Sequence, residues 1–181
     1  MTNPRHFLYV TIALLSIGLI TVVLPLFMVP RKPTKARKEL FQVKKVIDGD
    51  TIELEDGQKV RYVGIDAPEV DNAACFAREA KERNKGLVEG KSIELERDVS
   101  EKDQYGRLLR YTYADGVMVN EVLVKEGYVQ AMRVPPDVRF ADSFRESEQE
   151  ARRAGRGLWS SCKITVITGQ VLGLEATSSA R

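Results

Sequence analysis

The chain has 181 residues, of which 43% are apolar and 30% charged, and this length suits one globular domain with an appendage but not a second full domain. Six of the 28 basic residues precede residue 39, so residues 39–181 hold 22 basic against 26 acidic side chains, a formal charge of −4. Bulk charge therefore does not select a polyanionic partner, and such a partner needs a local cationic site or a bridging metal ion.

The single histidine of the chain, His6, lies beside an apolar N-terminal segment and outside any folded domain. This position excludes a Ser-His-Asp triad, an imidazole base and a His-ligated zinc site in the domain. Catalysis by this chain has to use carboxylates, arginines, tyrosines or a hard cation.

The first segment of the chain, residues 7–29, carries no charged side chain over 23 positions. As a helix it would be about 34 Å long, enough to cross the hydrocarbon core of a bilayer. Its end, Leu-Phe-Met-Val-Pro, lacks the small residues of a signal cleavage site. We predict a tail at 1–6 and an uncleaved transmembrane anchor at 7–29, with a cleaved signal segment or a buried core helix as the alternatives.

Residues 30–39 follow as a basic linker that holds five lysines and arginines, and Pro30 and Pro33 favour an irregular connection. The positive-inside rule applied to this run puts the following domain in the cytoplasm. The run can equally bind anionic lipid or stay a solvated linker.

Three predicted strands begin the domain, because apolar residues alternate in short stretches separated by Gly-containing turns. The strands are Phe41–Ile47, Thr51–Glu55 and Lys59–Val63. The turns between them are Asp48-Gly-Asp50 and Asp56-Gly57. The pattern predicts an antiparallel meander.

The rest of the chain alternates helical and strand patterns. Helical spacing of apolar residues runs through Ala73–Val88, and the later elements are strands at Ser92–Glu96 and Arg107–Tyr113 and helices at Val119–Glu126 and Phe140–Ala154. Five strands with a helix between the third and fourth is the element order of an OB-fold barrel. We therefore predict an α+β domain at 40–162, a five-stranded OB-fold barrel with about three helices, and a C-terminal tail at 163–181 in which Ile164–Leu174 either adds a strand or stays loose.

Three short stretches hold the side chains suited to chemistry: Val46–Thr51, Arg61–Glu69 and Asp103–Arg107. Hard oxygen ligands from the first two favour calcium or magnesium over zinc, and such a cation can neutralise and polarise a phosphate. Arginines in the last two can bind phosphate oxygens through a planar, always charged guanidinium. Each stretch alone has a simpler interpretation, as a turn, the approach to a helix, or a surface arginine, so the hypothesis depends on their co-occurrence.

The two cysteines, Cys75 and Cys162, are too few and too far apart for a zinc ribbon or a redox CxxC motif. They form either one disulfide or two ordinary buried thiols. A bridge across so long a loop would stabilise the fold by roughly 4 kcal/mol in the chain-entropy model, and it would indicate an oxidising compartment.

The three stretches, in this order and with a helix between the second and third, resemble the staphylococcal nuclease family. The resemblance continues through Tyr111–Glu121, a helix that ends at Gly127, and Gly157–Ser160, and it covers roughly residues 40–160. Several motifs in register are far more specific than any one of them.

The resemblance implies an OB-fold enzyme that binds one calcium ion and cleaves DNA and RNA, leaving 3′-phosphates and 5′-hydroxyls. By position, Asp50 and Asp66 match the calcium-binding carboxylates, and Ala67 matches a residue that binds calcium through its backbone carbonyl. Glu69 matches the glutamate that orients or deprotonates the attacking water. Arg61 and Arg107 match the two phosphate-binding arginines.

Four positions near these residues also have roles in the family, with three departures. Ala67 replaces a threonine, which a carbonyl ligand tolerates. Gln104 replaces a lysine that helps to hold a terminal phosphate, and Tyr105 beside it is retained. Arg133 replaces a tyrosine associated with base contact, and an arginine can still stack on a base or bind a phosphate.

The sequence thus predicts a monomeric, calcium-dependent nuclease with DNA or RNA as its substrate, anchored by residues 7–29. Because an active nuclease is safer outside the cell, we predict that the domain faces the extracytoplasmic side, against the positive-inside rule, with a cleaved and secreted form as the alternative. Two rival functions remain. One is a non-catalytic nucleic-acid-binding OB-fold module tethered to a membrane. The other is a membrane-associated interaction protein that uses its basic linker on anionic lipid.

Overall fold

A computed structural model describes residues 39–71, 73–167 and 170–176, with side chains through Cys162. The predicted tail and anchor at 1–29, and all but the last residue of the predicted linker, lie outside the described residues. In the described part of the chain, no helix has the length and apolar character needed to span a bilayer.

Strands and helices alternate through the described residues. The strands are β1 (Leu40–Val46), β2 (Thr51–Leu54), β3 (Lys59–Tyr62), β4 (Ile65–Asp66), β5 (Ser92–Glu96), β6 (Leu108–Ala114), β7 (Val117–Met118), β8 (Gln130–Ala131), β9 (Cys162–Ile167) and β10 (Gln170–Ala176). The helices are α1 (Ala77–Val88), α2 (Val119–Lys125), α3 (Ala141–Arg153) and α4 (Leu158–Ser161).

A closed barrel forms from the five strands β1, β2, β3, β5 and β6. The main sheet runs in the order β3-β2-β1-β5-β6-β7, and a parallel pairing of β3 with β6 closes it. Arg61 is opposite Leu109 in that pairing. The five-stranded OB-fold barrel predicted from the element order is confirmed, and its closure brings the strand of Arg61 beside the strand that follows Arg107.

The predicted hairpin at the start of the domain is confirmed as β1 and β2, with Val46 opposite Ile52 and the Asp-Gly-Asp sequence in the turn. The pairing shifts register between Val43 and Lys45. Because such a bulge adds a residue to one strand, Val43 and Val46 both face the core although they are three positions apart.

The core fills the barrel and the space under the later helices. Ile52 on β2, Val60 on β3 and Ile93 on β5 are fully buried inside the barrel. Phe144 of α3 packs its ring 6.2 Å from that of Tyr111 on β6. Apolar burial of this kind is the main favourable term in folding, so it fixes the sheet against the helices.

The first predicted helix is four residues too long, because α1 starts at Ala77 and not at Ala73. Ala73 and Phe76 have φ angles of 49° and 70°, a left-handed conformation that a right-handed helix cannot contain. Near the C-terminus the short helix α4 was not predicted, so the described residues form four helices and not about three.

Part of the predicted C-terminal tail forms a two-stranded sheet. Strand β9 pairs antiparallel with β10, and Val166 is opposite Val171. Of the two alternatives for Ile164–Leu174, the structure thus supports added strands, and residues 177–181 lie outside the described part.

A disulfide joins Cys75 to Cys162 across 87 residues of chain. Of the two alternatives for the cysteines, the structure therefore contains the bridge. It connects the segment just before α1 to the first residue of β9, so it ties the loop after β4 to the C-terminal part of the domain.

We predict that replacing both cysteines, Cys75→Ser with Cys162→Ser, lowers the free energy of unfolding by up to about 4 kcal/mol, because the open chain gains loop entropy when it unfolds. Urea unfolding of the oxidised protein and the double variant measures the difference. Either single variant should lose nearly as much as the double variant. A double variant as stable as the oxidised protein would contradict the prediction.

Candidate active site

Asp50 ends the turn between β1 and β2, and it is a buried acid that is only 4% exposed. Its Oδ1 accepts a hydrogen bond from the Thr51 hydroxyl at 3.0 Å, and its Oδ2 accepts one from the backbone N–H of Ala67 at 2.6 Å. The second oxygen also lies 3.1 Å from Nη2 of Arg61. The carboxylate is thereby fixed to the loop after β4 and to β3.

Gly49 allows this turn to lie very close to its neighbours. A Cβ atom added at Gly49 would be 2.7 Å from the Cβ of Ala67 and 2.9 Å from the Cβ of Ala80 on α1. Such contacts are shorter than side chains tolerate, so the glycine is needed for close approach of backbones. The Asp-Gly-Asp sequence is therefore a packing requirement as well as a turn signal.

Asp66, on the short strand β4, brings a second carboxylate to the same guanidinium. Its Oδ1 lies 2.8 Å from Nη2 of Arg61, and its side chain is 53% exposed. Nη1 of Arg61 donates to the backbone carbonyls of Tyr62 and Ile65, both at 2.8 Å. The predicted residues Asp50, Asp66 and Arg61 are thus in one cluster, with a buried acid on one side and a solvent-facing acid on the other.

Burial raises the pKa of the Asp50 carboxyl to about 8, and the nearby charges of Asp48 and Asp66 act in the same direction. The Arg61 guanidinium and the Ala67 N–H oppose this rise without cancelling it. The cluster is therefore short of positive charge at Asp50. An added cation would favour the charged form of a carboxylate in such a setting.

The donors available in this cluster suit a hard divalent cation, because carboxylate oxygens are present without thiolate or imidazole. Among the described residues, no group of three or more His, Cys, Asp or Glu side chains converges as a metal site. Asp50 and Asp66 would therefore have to be completed by a backbone carbonyl and water. Ala67 contacts Asp50 through its N–H, and the ligand role of its carbonyl stays a prediction.

Glu69 lies three residues after Asp66, and its side chain is exposed. Within the described residues, its carboxylate makes no hydrogen bond or ion pair with the Asp50, Asp66 and Arg61 cluster, and only its backbone carbonyl accepts a bond, from Ala74 at 3.2 Å. The structure places Glu69 in the loop that follows Asp66, without a hydrogen bond or ion pair to the cluster, so its role stays a prediction.

Arg107 shares a cleft of about 490 Å³ with Arg61. Its Nε donates to Oδ2 of Asp103 at 2.6 Å, and its guanidinium lies 5.4 Å from the ring centroid of Tyr105. The other lining residues include Gln104 and the apolar side chains Val63, Met132, Val134, Pro135 and Pro136. Two arginines, an exposed tyrosine and an apolar wall thus face one groove.

Arg133 does not line this cleft. It lies in a separate groove of about 370 Å³ beside α3, together with Arg145 and Glu148. The structure therefore brings together Arg61, Arg107, Gln104 and Tyr105, but not Arg133, whose contact with nucleic acid stays a prediction. Another cleft in the described part of the chain, about 760 Å³, is lined by none of the predicted site residues.

Two acids that support the cleft were not identified from the sequence. Asp103 forms an ion pair with Arg107. Its position four residues before Arg107, with a glycine between them, could have indicated this pair from the sequence. Asp137 is buried, and its Oδ1 accepts the backbone N–H groups of Val99 at 2.9 Å and Ser100 at 2.8 Å. Asp137 thereby ties two walls of the cleft together, and no local sequence pattern indicates such a long-range contact.

The pKa of Asp137 is lowered in the folded protein. Burial alone would raise it, but the hydrogen bonds from Ser100 and Val99 outweigh burial. A lowered carboxyl pKa stabilises the folded state above the unfolded value of about 3.9, and this contribution is lost as the pH falls through the folded pKa. The tie between the cleft walls should therefore weaken in acid.

We predict that Asp137→Ala destabilises the protein by about 2–4 kcal/mol at pH 7, because the backbone N–H groups of Val99 and Ser100 lose their charged acceptor. Chemical unfolding at pH 7 and at pH 3 measures the loss, which should shrink at the lower pH. Asp142→Ala, on the exposed face of α3, is the matched control and should change stability by less than about 0.5 kcal/mol. Equal losses at both pH values would contradict the assignment.

Comparison with known proteins gives several matches. The family model described as "Staphylococcal nuclease homologue" matches residues 59–161. Endonuclease YncB of Bacillus subtilis (strain 168) is 40% identical over 138 residues, which are 70% of this chain and 65% of that protein. The SPbeta prophage-derived endonuclease YokF of the same organism is 39% identical over 134 residues, which are 68% of this chain and 45% of that protein.

A thermonuclease of Staphylococcus hyicus is 32% identical over 134 residues, which are 70% of this chain and 79% of that protein. The chain spans less than two thirds of the length of the two Bacillus subtilis relatives. The family model nevertheless matches more than half of the chain, and the match includes Arg61, Asp66, Glu69 and Arg107. The chain belongs to the staphylococcal nuclease homologue family.

Proposed function

We propose that this chain is a nuclease that hydrolyses phosphodiester bonds in DNA or RNA. The observation that carries the proposal is the placement of Arg61, which contacts Asp50 and Asp66 and also lines the cleft of Arg107. A phosphate in that cleft would meet two guanidinium groups beside a carboxylate pair. The names of the relatives, endonuclease and thermonuclease, support the same reaction.

We propose calcium as the cation, held by Asp50 and Asp66 with the Ala67 carbonyl. Oxygen-only donors and a half-exposed carboxylate support a calcium site in which water completes the coordination. A bound cation of this kind neutralises charge on the phosphate and polarises it. At the buried Asp50, Arg61 is the cation within the described residues that opposes desolvation, so a second cation there would further favour the charged carboxylate.

The two arginines would stabilise charge on the non-bridging phosphate oxygens as the transition state forms. Two backbone carbonyls hold Arg61 in place through Nη1, and its Nη2 would release Asp50 or Asp66 to a cation when it binds a phosphate. Arg107 is held by Asp103, which we interpret as its positioning residue. Charge-assisted, bidentate bonds from such groups are the strong class of phosphate contact.

Glu69 would orient the attacking water and accept its proton. Its exposed carboxylate has no hydrogen-bond or ion-pair partner among the described residues, which leaves both oxygens open to water. Water would then attack phosphorus in line, the 5′-oxygen would leave as a hydroxyl, and a 3′-phosphate would remain. The retained acids and arginines favour this enzyme over a non-catalytic binding module, which would need no general base.

We predict that the purified full-length protein degrades plasmid DNA or single-stranded RNA with added calcium and loses this activity with a calcium chelator. Glu69→Gln and Arg107→Ala should each lower the rate by about 10²-fold or more, because these groups act in the transition state. Arg153→Ala, an exposed arginine of α3 outside the cleft, is the control. The mechanism would be contradicted if either variant kept nearly the activity of the unchanged protein. It would also be contradicted if the unchanged protein stayed active in the calcium chelator.

We further propose that residues 7–29 anchor the protein and that the domain faces the extracytoplasmic side. The uncharged 23-residue segment supports the anchor, and the Cys75–Cys162 bridge supports an oxidising compartment. The basic linker opposes this topology under the positive-inside rule. The bridge outweighs the rule here because cytosolic proteins rarely keep a structural disulfide.

Protease treatment of intact cells tests this topology. We expect the domain to be digested from outside while the protein stays in the membrane fraction. If the domain is digested only after the membrane is broken, it faces the cytoplasm and the proposed topology is wrong. If the protein is found soluble in the medium, residues 7–29 are a cleaved signal segment and not an anchor.

A further inference from the structure

Asn84, on α1, is a fully buried polar residue that contacts the turn of Asp50. Its Oδ1 accepts a hydrogen bond from the hydroxyl of Tyr62 at 3.1 Å. Its Nδ2 donates to the backbone carbonyl of Asp48 at 3.0 Å. One amide thus joins three separate elements: α1, β3 and the turn between β1 and β2.

These bonds fix the turn on both sides of Gly49. Asn84 holds the carbonyl of Asp48, and the backbone N–H of Tyr62 donates to the carbonyl of Asp50 at 2.9 Å. The side chain of Asp48 closes the turn internally, because its Oδ1 accepts the N–H of Asp50 at 3.0 Å. Tyr62 and Asn84 therefore help to fix the backbone of the turn from which the Asp50 carboxylate extends.

The same face of α1 also packs against the turn. Ala80 is four residues before Asn84, so the two side chains are neighbours on one helix face. The Cβ of Ala80 leaves no room for a side chain at Gly49. The helix thus meets the turn with a close apolar contact at Ala80 and a directed polar contact at Asn84.

A purely structural role is the plain alternative for Asn84, because buried polar groups normally have hydrogen-bond partners. Asn120 is equally buried and serves as a comparison. Its amide joins the N–H of Thr112 to the carbonyl of Val63, so it makes no hydrogen bond to the turn of Asp50. Of these two asparagines, Asn84 is the one that bonds to the acid-bearing turn.

We propose that Asn84, together with Tyr62, is a positioning residue that directs the Asp50 carboxylate toward the cation. The inference rests on the calcium role proposed above. A buried amide that orients a ligand-bearing segment acts as an outer partner of a metal site, and loss of such partners typically lowers metal affinity about 10–100-fold. The effect should appear in calcium affinity, whereas the arginine cleft stays as it is.

The test is a calcium titration by calorimetry on the full-length protein and on Asn84→Ser and Tyr62→Phe. We expect the dissociation constant for calcium to rise about tenfold or more in Asn84→Ser. Tyr62→Phe removes a single hydroxyl, so the fold persists and a smaller rise in the same direction is expected. Nuclease activity at saturating calcium should fall far less than calcium affinity.

Two controls separate positioning from general loss of stability. Leu123→Ala removes a fully buried side chain of α2, and Asn120→Ser removes the comparison amide. Both should destabilise the fold as much as Asn84→Ser, and both should keep the calcium affinity of the unchanged protein. If either control weakens calcium binding as much as Asn84→Ser does, the loss of affinity follows from lost stability. Asn84 would then have a structural role only.

The failure of this inference is distinct from that of the proposed function. If the unchanged protein binds calcium and both Asn84→Ser and Tyr62→Phe bind it with the same affinity, the positioning role is wrong and the calcium role stands. If the unchanged protein binds no calcium at all, the cation proposal fails, and the positioning role fails with it.

Discussion

The site depends on one guanidinium that is shared by two carboxylates. Arg61 donates to two backbone carbonyls through Nη1, and its Nη2 faces Asp50 and Asp66. This arrangement places the buried carboxylate of Asp50 next to the positive charge of Arg61. A charged group in a low-dielectric interior needs such a partner. It also brings the two acids together and leaves the Asp66 carboxylate open to solvent. A cation and a phosphate could therefore reach the pair from the solvent side.

The barrel makes this arrangement possible through its closure. Parallel pairing of β3 with β6 places Arg61 beside the strand that Arg107 precedes, so both arginines reach one cleft. Helix α1 then covers the turn of Asp50 through close packing at Gly49 and the amide of Asn84. Packed cores resist continuous deformation, so the surrounding core holds the elements that carry the acids and arginines in this arrangement.

Local sequence patterns predicted the five barrel strands and the Asp-Gly-Asp turn, because these depend on near neighbours along the chain. The residues of the Arg61 cluster were predicted from the co-occurrence of three stretches and from the resemblance to the nuclease family. The patterns could not predict the contacts of Asn84 or Asp137, which join segments more than 20 residues apart. They also gave no reason to separate Arg133 from the cleft that its neighbours Met132 and Val134 line. The start of α1 was wrong because left-handed residues depend on the surrounding fold.

The most direct test of this account is a crystal structure of the protein grown with calcium. We expect one cation within about 2.3–2.6 Å of oxygens from both Asp50 and Asp66, with Arg61 and Arg107 facing the same cleft. A cation bound elsewhere, or an Asp50 carboxylate still paired with Arg61 alone at saturating calcium, would contradict the central claim that these acids form the metal centre.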